Sequence, residues 1–177
     1  EHFEAINHRN AIYYVEDIIR KEEPFSEWQI RNIHQLILKN IDDDNAGRYR
    51  QQNVLISGAT STPPDYTLLN DKMAQLVDWY SNDAHKFHPI ERAAKVHADF
   101  VGIHPFIDGN GRTSRLLMNL ELLKAGYPPC VITVENRLAY YEALDQWMAY
   151  GKTEAFIQLV SEAVLEGFKP YQVVLGI

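Results

Sequence analysis

Residues 103–115 of the chain have the sequence Ile-His-Pro-Phe-Ile-Asp-Gly-Asn-Gly-Arg-Thr-Ser-Arg, and a long apolar segment follows directly. Pro105 disfavours the α conformation at His104, so the preceding helix is expected to end near this histidine. Gly109 and Gly111 permit a tight loop whose successive N–H groups point to a common centre. Because a helix that starts at such a loop adds unpaired N–H groups and a partial positive charge, this stretch predicts an anion site, usually for phosphate.

The charged side chains of the same stretch extend this prediction to group transfer. Arg112 and Arg115 are three residues apart and therefore share a helix face, from which both can bind phosphate oxygens. Asp108 lies just before the anion site, where a Mg²⁺ ion on a polyphosphate needs a hard oxygen ligand. His104 can accept a proton near neutral pH without a large pKa shift. Together these residues indicate phosphoryl or nucleotidyl transfer with a histidine base.

The composition is that of an ordinary globular protein. The 177 residues are enough for one domain with a sizeable core, and 46% of them are hydrophobic and 23% charged. The formal net charge of -7 argues against a broad nucleic-acid surface. No apolar run approaches membrane-spanning length and no signal-peptide pattern opens the chain, so we expect no membrane partner and a cytoplasmic location. Cys130, the single cysteine, lies in an apolar segment and is expected in the core.

The spacing of apolar residues predicts an all-α domain with one β-hairpin. Ser26 and Gln29 form a capping-box pattern at the start of the second helix, and Trp28 is included in its apolar face. Gly126 and Gly167 are expected to end two of the later helices. The predicted helices cover residues 3–19, 26–39, 68–80, 90–103, 116–125, 136–149 and 153–165.

Residues 48–66 form the one clearly non-helical region. The Val-Leu-Ile sequence at 54–56 predicts a short strand, residues 58–62 a turn, and the two prolines at 63 and 64 an end to the hairpin. A further short strand is expected at 173–175, where the sequence is Val-Val-Leu. Residues 41–47 are expected to form a polar loop, and residues 131–134 an extended segment.

The motif at 104–115 resembles the signature of the Fic domain family, His-Pro-Phe-x-Asp/Glu-Gly-Asn-Gly-Arg-x-x-Arg, at every defined position. The resemblance covers most of residues 41–151. It therefore implies a single Fic-type domain over 1–177, with a core at about 41–151, flanking helices at both ends and a short β-hairpin flap. The other matching segments are Ala46-Gly47-x-Tyr49-Arg50, Val54-x-Ile56-x-Gly58, Pro63-Pro64 and Ala125-Gly126-Tyr127-Pro128-Pro129.

Membership of this family implies a protein adenylyltransferase that transfers AMP from ATP to a Ser, Thr or Tyr hydroxyl of a target protein. By the same resemblance, His104 is the general base and Asp108 holds Mg²⁺ between the α- and β-phosphates. Phe106 seats the loop by packing. The residues implied to bind the phosphates are Gly109, Asn110, Gly111, Arg112 and Arg115.

Two further groups of residues follow from the resemblance. Tyr140, Tyr141 and Leu144 resemble the family's adenine pocket, although core packing explains these residues equally well. Some relatives place an asparagine near the ribose where this chain has Met148. The flap is expected to pair with an extended target segment by strand addition. Its docking residues are Val54, Leu55, Ile56, Ser57 and Gly58.

Several alternatives stay open. The same residues could remove AMP from a modified protein or transfer another phosphoryl-containing group, and a nucleotide-responsive binding module is a third reading. Many Fic proteins inhibit themselves through a Ser/Thr-x-x-x-Glu helix whose glutamate pairs with the second motif arginine, and no such spacing occurs here. We therefore expect activity without an activating mutation, unless Glu4 or Glu166 reaches Arg115. A homodimer and an inhibitory segment or partner outside this chain are left open.

Overall fold

The computed structural model describes residues 2–176, and these residues form an all-helical fold. The predicted helical class is therefore confirmed. Short 3-10 turns at Tyr66–Leu68 and Ala84–Lys86 precede the third and fourth helices. The α-helices are α1 (His2–Arg20), α2 (Glu27–Leu38), α3 (Leu69–Asn82), α4 (Pro89–Ile103), α5 (Asn110–Lys124), α6 (Arg137–Tyr150) and α7 (Glu154–Leu175).

Local sequence determines where several helices begin. Ser26 caps α2 as predicted, and its hydroxyl oxygen accepts a hydrogen bond from the backbone N–H of Gln29 at 3.4 Å. Pro89 is the first residue of α4, where its missing N–H costs no helical hydrogen bond. The prediction for Trp28 was wrong, because this side chain is 65% exposed and lies outside the core.

Helices α4 and α5 pack along each other and form the centre of the fold. One apolar cluster lies on the side of α1, α2 and α3, and a second lies on the side of α6 and α7. Leu117 of α5 belongs to the first cluster and Met118 to the second, and both are fully buried. Because α5 contributes to both clusters, the loop that precedes it is held between two packed halves of the core.

The predicted β-hairpin is not formed, because no residue from 50 to 65 lies in a β-strand. The segment is an irregular loop, in which the N–H of Ala59 donates to the carbonyl of Ile56 at 3.1 Å to form a turn. A ladder needs backbone donors on both strands, and Pro63 and Pro64 lack them on the returning side. Side-chain hydrogen bonds hold the loop instead, most of them from its own residues and one from Asp145.

The last helix is longer than predicted. Helix α7 continues through Gly167 and Pro170 to Leu175, so the predicted helix end and the strand at 173–175 were both wrong. A Cβ atom at Gly167 would lie 3.1 Å from the Cβ of Pro128, so glycine permits a close approach here and does not end the helix. None of the helices in residues 2–176 is both long and apolar enough to cross a membrane.

Candidate active site

His104 ends α4, as the sequence predicted. Its φ of 50° and ψ of 58° are left-handed, and its N–H still donates to the carbonyl of Phe100 at 3.0 Å. The imidazole Nδ1 lies 3.3 Å from the carbonyl oxygen of Val101. Since a carbonyl can only accept, Nδ1 carries the hydrogen and Nε2 keeps a free lone pair. Burial lowers the pKa of His104, and the nearby charge of Arg50 acts in the same direction. The ring is therefore neutral and can accept a proton at Nε2.

The loop after His104 is fixed by a histidine that sequence reasoning missed. His34 of α2 is fully buried and stacks on Phe106, with ring centroids 3.5 Å apart and an interplanar angle of 4°. Its Nδ1 accepts from the N–H of Gly47 at 2.9 Å, and its Nε2 donates to the carbonyl of Asp108 at 2.8 Å. Burial lowers the pKa of His34 to about 4, which agrees with a neutral ring. A Cβ atom at Gly109 would lie 3.0 Å from Nε2, so only glycine fits beside this ring.

Asn110 holds the loop from inside. Its side-chain oxygen accepts from the N–H of Phe106 at 3.0 Å, and its amide nitrogen donates to the carbonyl of the same residue at 2.8 Å. The side chain is thus used within the loop. Gly109, at φ 78°, precedes the first turn of α5 and provides no side-chain cap. The N–H groups of this first turn therefore have no intrahelical acceptor and remain available to an anion.

Asp108 and Arg112 form a charged rim at the mouth of the loop. The Asp108 side chain is 68% exposed, and its Oδ2 lies 3.1 Å from Arg112. Its Oδ1 accepts from the N–H of Gly109 at 2.6 Å. Arg112 also contacts Glu4 of α1 at 3.4 Å. These exposed pairs are weak enough for the side chains to exchange partners when an anion binds.

Arg115 lies near Tyr140 of α6 and lines the same cavity as this residue. Burial raises the pKa of the Tyr140 hydroxyl, and the nearby charge of Arg115 acts in the opposite direction. That hydroxyl lies 2.9 Å from Nε2 of His97, a fully buried ring whose pKa burial lowers to about 3. Within residues 2–176, no Asp or Glu lies within ion-pair distance of Arg115. Glu4 pairs with Arg112 instead, and Glu166 with a lysine of its own helix.

A cavity of about 370 Å³ lies beside His104 and joins three parts of the chain. It brings together the motif, the loop at 56–59 and one face of α6. Asp108, Gly109, Asn110 and Arg112 lie outside its lining, as do Val54 and the 80% exposed Leu55. The predicted site residues that line the cavity are His104, Gly111, Arg115, Tyr140, Tyr141, Leu144, Ile56, Ser57 and Gly58.

Arg50 is a second residue of the site, and the sequence did not reveal that it holds the loop at 50–65 against His104. Only 3% of this side chain is exposed, although it carries a charge. Its guanidinium donates to the carbonyls of His104 at 2.9 Å, Gln52 at 2.8 Å and Pro64 at 2.6 Å. Its own N–H donates to the carbonyl of Pro105 at 2.9 Å. Arg50 thus joins both ends of the loop at 50–65 to the residue that carries the imidazole.

The chain is similar to a known family and to several known proteins. The Fic/DOC family model matches residues 24–122. The protein adenylyltransferase Fic of Nematostella vectensis is 41% identical over 163 residues, which cover 91% of this chain and 38% of that protein. The protein adenylyltransferase fic-1 of Caenorhabditis briggsae is 38% identical over 147 residues, or 81% of this chain and 29% of that protein.

A solved structure has a similar fold. Residues 134–508 of Fic-1 from C. elegans superpose with a TM-score of 0.87 at 32% identity, covering 99% of this chain and 52% of that one. The chain belongs to the Fic/DOC family. It spans well under half the length of the two adenylyltransferases named above.

Proposed function

We propose that this chain is a protein adenylyltransferase, which transfers AMP from Mg·ATP to a Ser, Thr or Tyr hydroxyl of a target protein. One observation carries the proposal: a single cavity joins the free Nε2 side of His104 to the start of α5 and to Arg115. Mere nucleotide binding does not require a neutral, hydrogen-bonded imidazole beside the phosphate site. Family membership and the adenylyltransferase names of the relatives support the same reaction.

In this proposal, His104 acts as the general base. Its Nε2 accepts the proton of the target hydroxyl as the oxygen forms a bond to the α-phosphorus of ATP. The bond from that phosphorus to the oxygen that bridges it to the β-phosphorus breaks, and pyrophosphate leaves. The lowered pKa of His104 keeps the ring unprotonated at neutral pH, so no proton must be lost before the reaction starts.

The phosphates bind at the start of α5. Backbone N–H groups of the Gly109–Gly111 loop, the partial positive charge of the helix and the guanidinium groups of Arg112 and Arg115 all favour an anion there. Asn110 contributes through its backbone, since its side chain is bonded to Phe106. Tyr140, Tyr141 and Leu144 are proposed to line the adenine end, in the cavity that also contains Met148.

Asp108 is proposed to hold Mg²⁺. The protein residues described contain no cluster of three or more His, Cys, Asp or Glu side chains suited to a metal. An exposed single carboxylate fits Mg²⁺ nevertheless, because this ion keeps several waters and uses one or two carboxylates together with substrate phosphates. When bound, the ion would neutralise charge on the phosphates.

The target is proposed to dock on residues 54–58 as an extended segment. Leu55 is 80% exposed, and the backbone of these residues has no ladder partner. The segment ends at the wall of the cavity, through Ile56, Ser57 and Gly58. A docked chain would thus bring a side-chain hydroxyl towards His104. The proposal treats residues 1–177 as one catalytic domain and needs neither a homodimer nor an inhibitory partner.

Labelled nucleotide tests this function. The purified chain is incubated with Mg²⁺ and with ATP that carries the label on either the α- or the γ-phosphate, and the protein is then analysed by intact mass. Adenylyl transfer places α-label on protein and adds the mass of one AMP group. Protein-bound γ-label would instead mean phosphoryl transfer, and binding without any covalent label would leave only a binding module.

A further inference from the structure

The loop at 50–65 lacks a β-ladder, so side chains must determine its position. Arg50 holds its two ends, as described above. Asn53 joins them again, donating to Asp65 at 2.8 Å and accepting from the N–H of Tyr66 at 2.9 Å. Neither contact reaches the far end of the loop.

One residue of α6 holds that far end. Oδ1 of Asp145 accepts from the N–H of Thr60 at 2.7 Å, across 85 residues of sequence. The hydroxyl of Thr60, its N–H and the backbone of Ser61 all act to lower the pKa of Asp145. The carboxylate of Asp145 therefore faces the polar groups of two consecutive loop residues and accepts a direct hydrogen bond from the first of them.

The stretch between these anchors is nearly free of its own hydrogen bonds. Its only backbone bond is the turn from Ala59 to Ile56, and Gly58 has open space around the position of a Cβ atom. The same stretch forms a wall of the cavity beside His104. The distance of residues 54–59 from the His104 imidazole therefore depends on the contacts of Arg50 and Asn53 on one side and of Asp145 on the other.

We propose that Asp145 is a positioning residue, which fixes the far end of the loop at 50–65 to α6 and so presents residues 54–58 to an extended protein substrate. This inference rests on the proposed function for its docking step, but the anchoring itself does not. Helix α6 is a firm support, because Tyr140, Ala143 and Leu144 bury one of its faces in the core.

The position of Asp145 on α6 links the proposed nucleotide site to the loop that would dock the target. The turn of α6 that carries Asp145 also lines the nucleotide cavity, through Asp145 itself, Tyr141 and Leu144. One helix therefore positions the adenine end of the cavity and the loop that would dock the target. Losing the Asp145 contact should disturb the acceptor more than the nucleotide, because the phosphate-binding loop and its arginines do not touch Asp145.

Hydrogen exchange tests the anchoring directly. In Asp145→Ala we expect the amide of Thr60 to exchange ~10-fold faster, because it loses a charged acceptor, while amides of α5 stay unchanged. Asp145→Asn keeps an acceptor oxygen and should exchange nearly as the parent does. Glu142→Ala removes a carboxylate three residues away, on the exposed side of the same helix, and should have no effect. Unchanged exchange at the Thr60 amide in Asp145→Ala would overturn the proposal.

Kinetics test the consequence. With a His104→Ala copy of this chain as acceptor and α-labelled ATP as donor, Asp145→Ala should raise the KM for acceptor ~10-fold and the KM for Mg·ATP much less. Asp145→Asn should restore the acceptor KM. Equal increases in both values would mean that Asp145 acts on the nucleotide, which contradicts the proposal. If the parent chain transfers no label at all, the proposed function fails, while the exchange measurement still decides whether Asp145 anchors the loop.

Discussion

The Nε atom of Arg50 donates to the carbonyl oxygen of His104 at 2.9 Å, although the two residues are 54 positions apart. This hydrogen bond fixes the peptide of the residue whose imidazole faces the cavity. The same guanidinium also donates to the carbonyls of Gln52 and Pro64. Arg50 thus links the two ends of the loop at 50–65 to the backbone of the candidate base.

We expect Arg50→Met to destabilise the protein by ~3 kcal/mol, since it leaves three partly buried carbonyls without their charged donor. Lysine should not restore stability, because one ammonium group cannot reach three carbonyls in different directions. Urea unfolding measures the change. Arg48→Met, an exposed neighbour, is the control and should stay within ~0.5 kcal/mol of the parent. A similar loss of stability in Arg50→Met and Arg48→Met would mean that the hydrogen bonds of Arg50 do not stabilise the fold.

His104→Ala should lower the rate of transfer by ~10²–10⁴-fold and leave Mg·ATP binding largely intact, because no phosphate contact is lost. In the parent chain, the acid limb of kcat/KM should lie below pH 6.5, since burial lowers the pKa of His104 from that value and only the neutral ring can act. Rate measurements across pH 4.5 to 8 on a stable sample test this point. Near-parental transfer in the variant, or an acid limb above pH 6.5, would exclude the assignment.

Stability should depend on pH through His34. Its pKa is about 4 in the folded protein and 6.5 as its ordinary value, so below pH 6.5 the unfolded chain binds a proton that the folded chain does not. The contribution of the neutral His34 ring to the free energy of unfolding is fully present above pH 6.5. It is lost as the pH falls towards 4, and the total loss is roughly 3 kcal/mol. The stability difference between the parent and His34→Gln should shrink over that range in denaturant titrations. A difference that stays constant with pH would contradict the neutral, buried state of this ring.

Ile56→Pro should impair modification of a protein acceptor more than binding of Mg·ATP. Proline removes the N–H at the centre of the docking segment and restricts its φ angle, whereas the phosphate site is untouched. Ser57→Ala keeps the backbone donor and is the matched control. Binding of ATP and transfer to an acceptor are measured separately for both variants. If they decline together in Ile56→Pro, the loop has misfolded and does not dock a target through its backbone.

The chain should be active as it stands. Within residues 2–176 no carboxylate pairs with Arg115, so the proposed γ-phosphate position is not held by an anion. Glu4→Ala should change the rate by less than ~3-fold, because Glu4 makes a partly exposed pair with Arg112, of a kind usually worth ~0–1 kcal/mol. Initial rates of labelling with α-labelled ATP measure both. A parent chain without activity that gains it in Glu4→Ala would show that α1 inhibits the site.

Local rules were sufficient for the helices and for the motif itself. The restriction that Pro105 places on His104, the glycine at φ 78° and the helix that follows involve neighbouring residues, whose preferences can be derived without knowing the fold. The same rules failed at the loop 50–65 and in the last helix. A strand forms only with a partner, and whether Gly167 ends a helix or lets it approach Pro128 depends on what lies beside it.

The amino-acid sequence by itself determined the all-α class, the turn proposed to bind phosphate and the histidine that is the candidate base. Only the tertiary structure decided that His34, Arg50 and Asp145 hold these parts in place, across 74, 54 and 85 positions of sequence. His34 and Asp145 belong to no motif, and the matching segment that contains Arg50 does not reveal which residues it binds. The physical reason is that a hydrogen bond between distant residues leaves no periodicity in the chain, so such a partner becomes visible only when packing brings the two together.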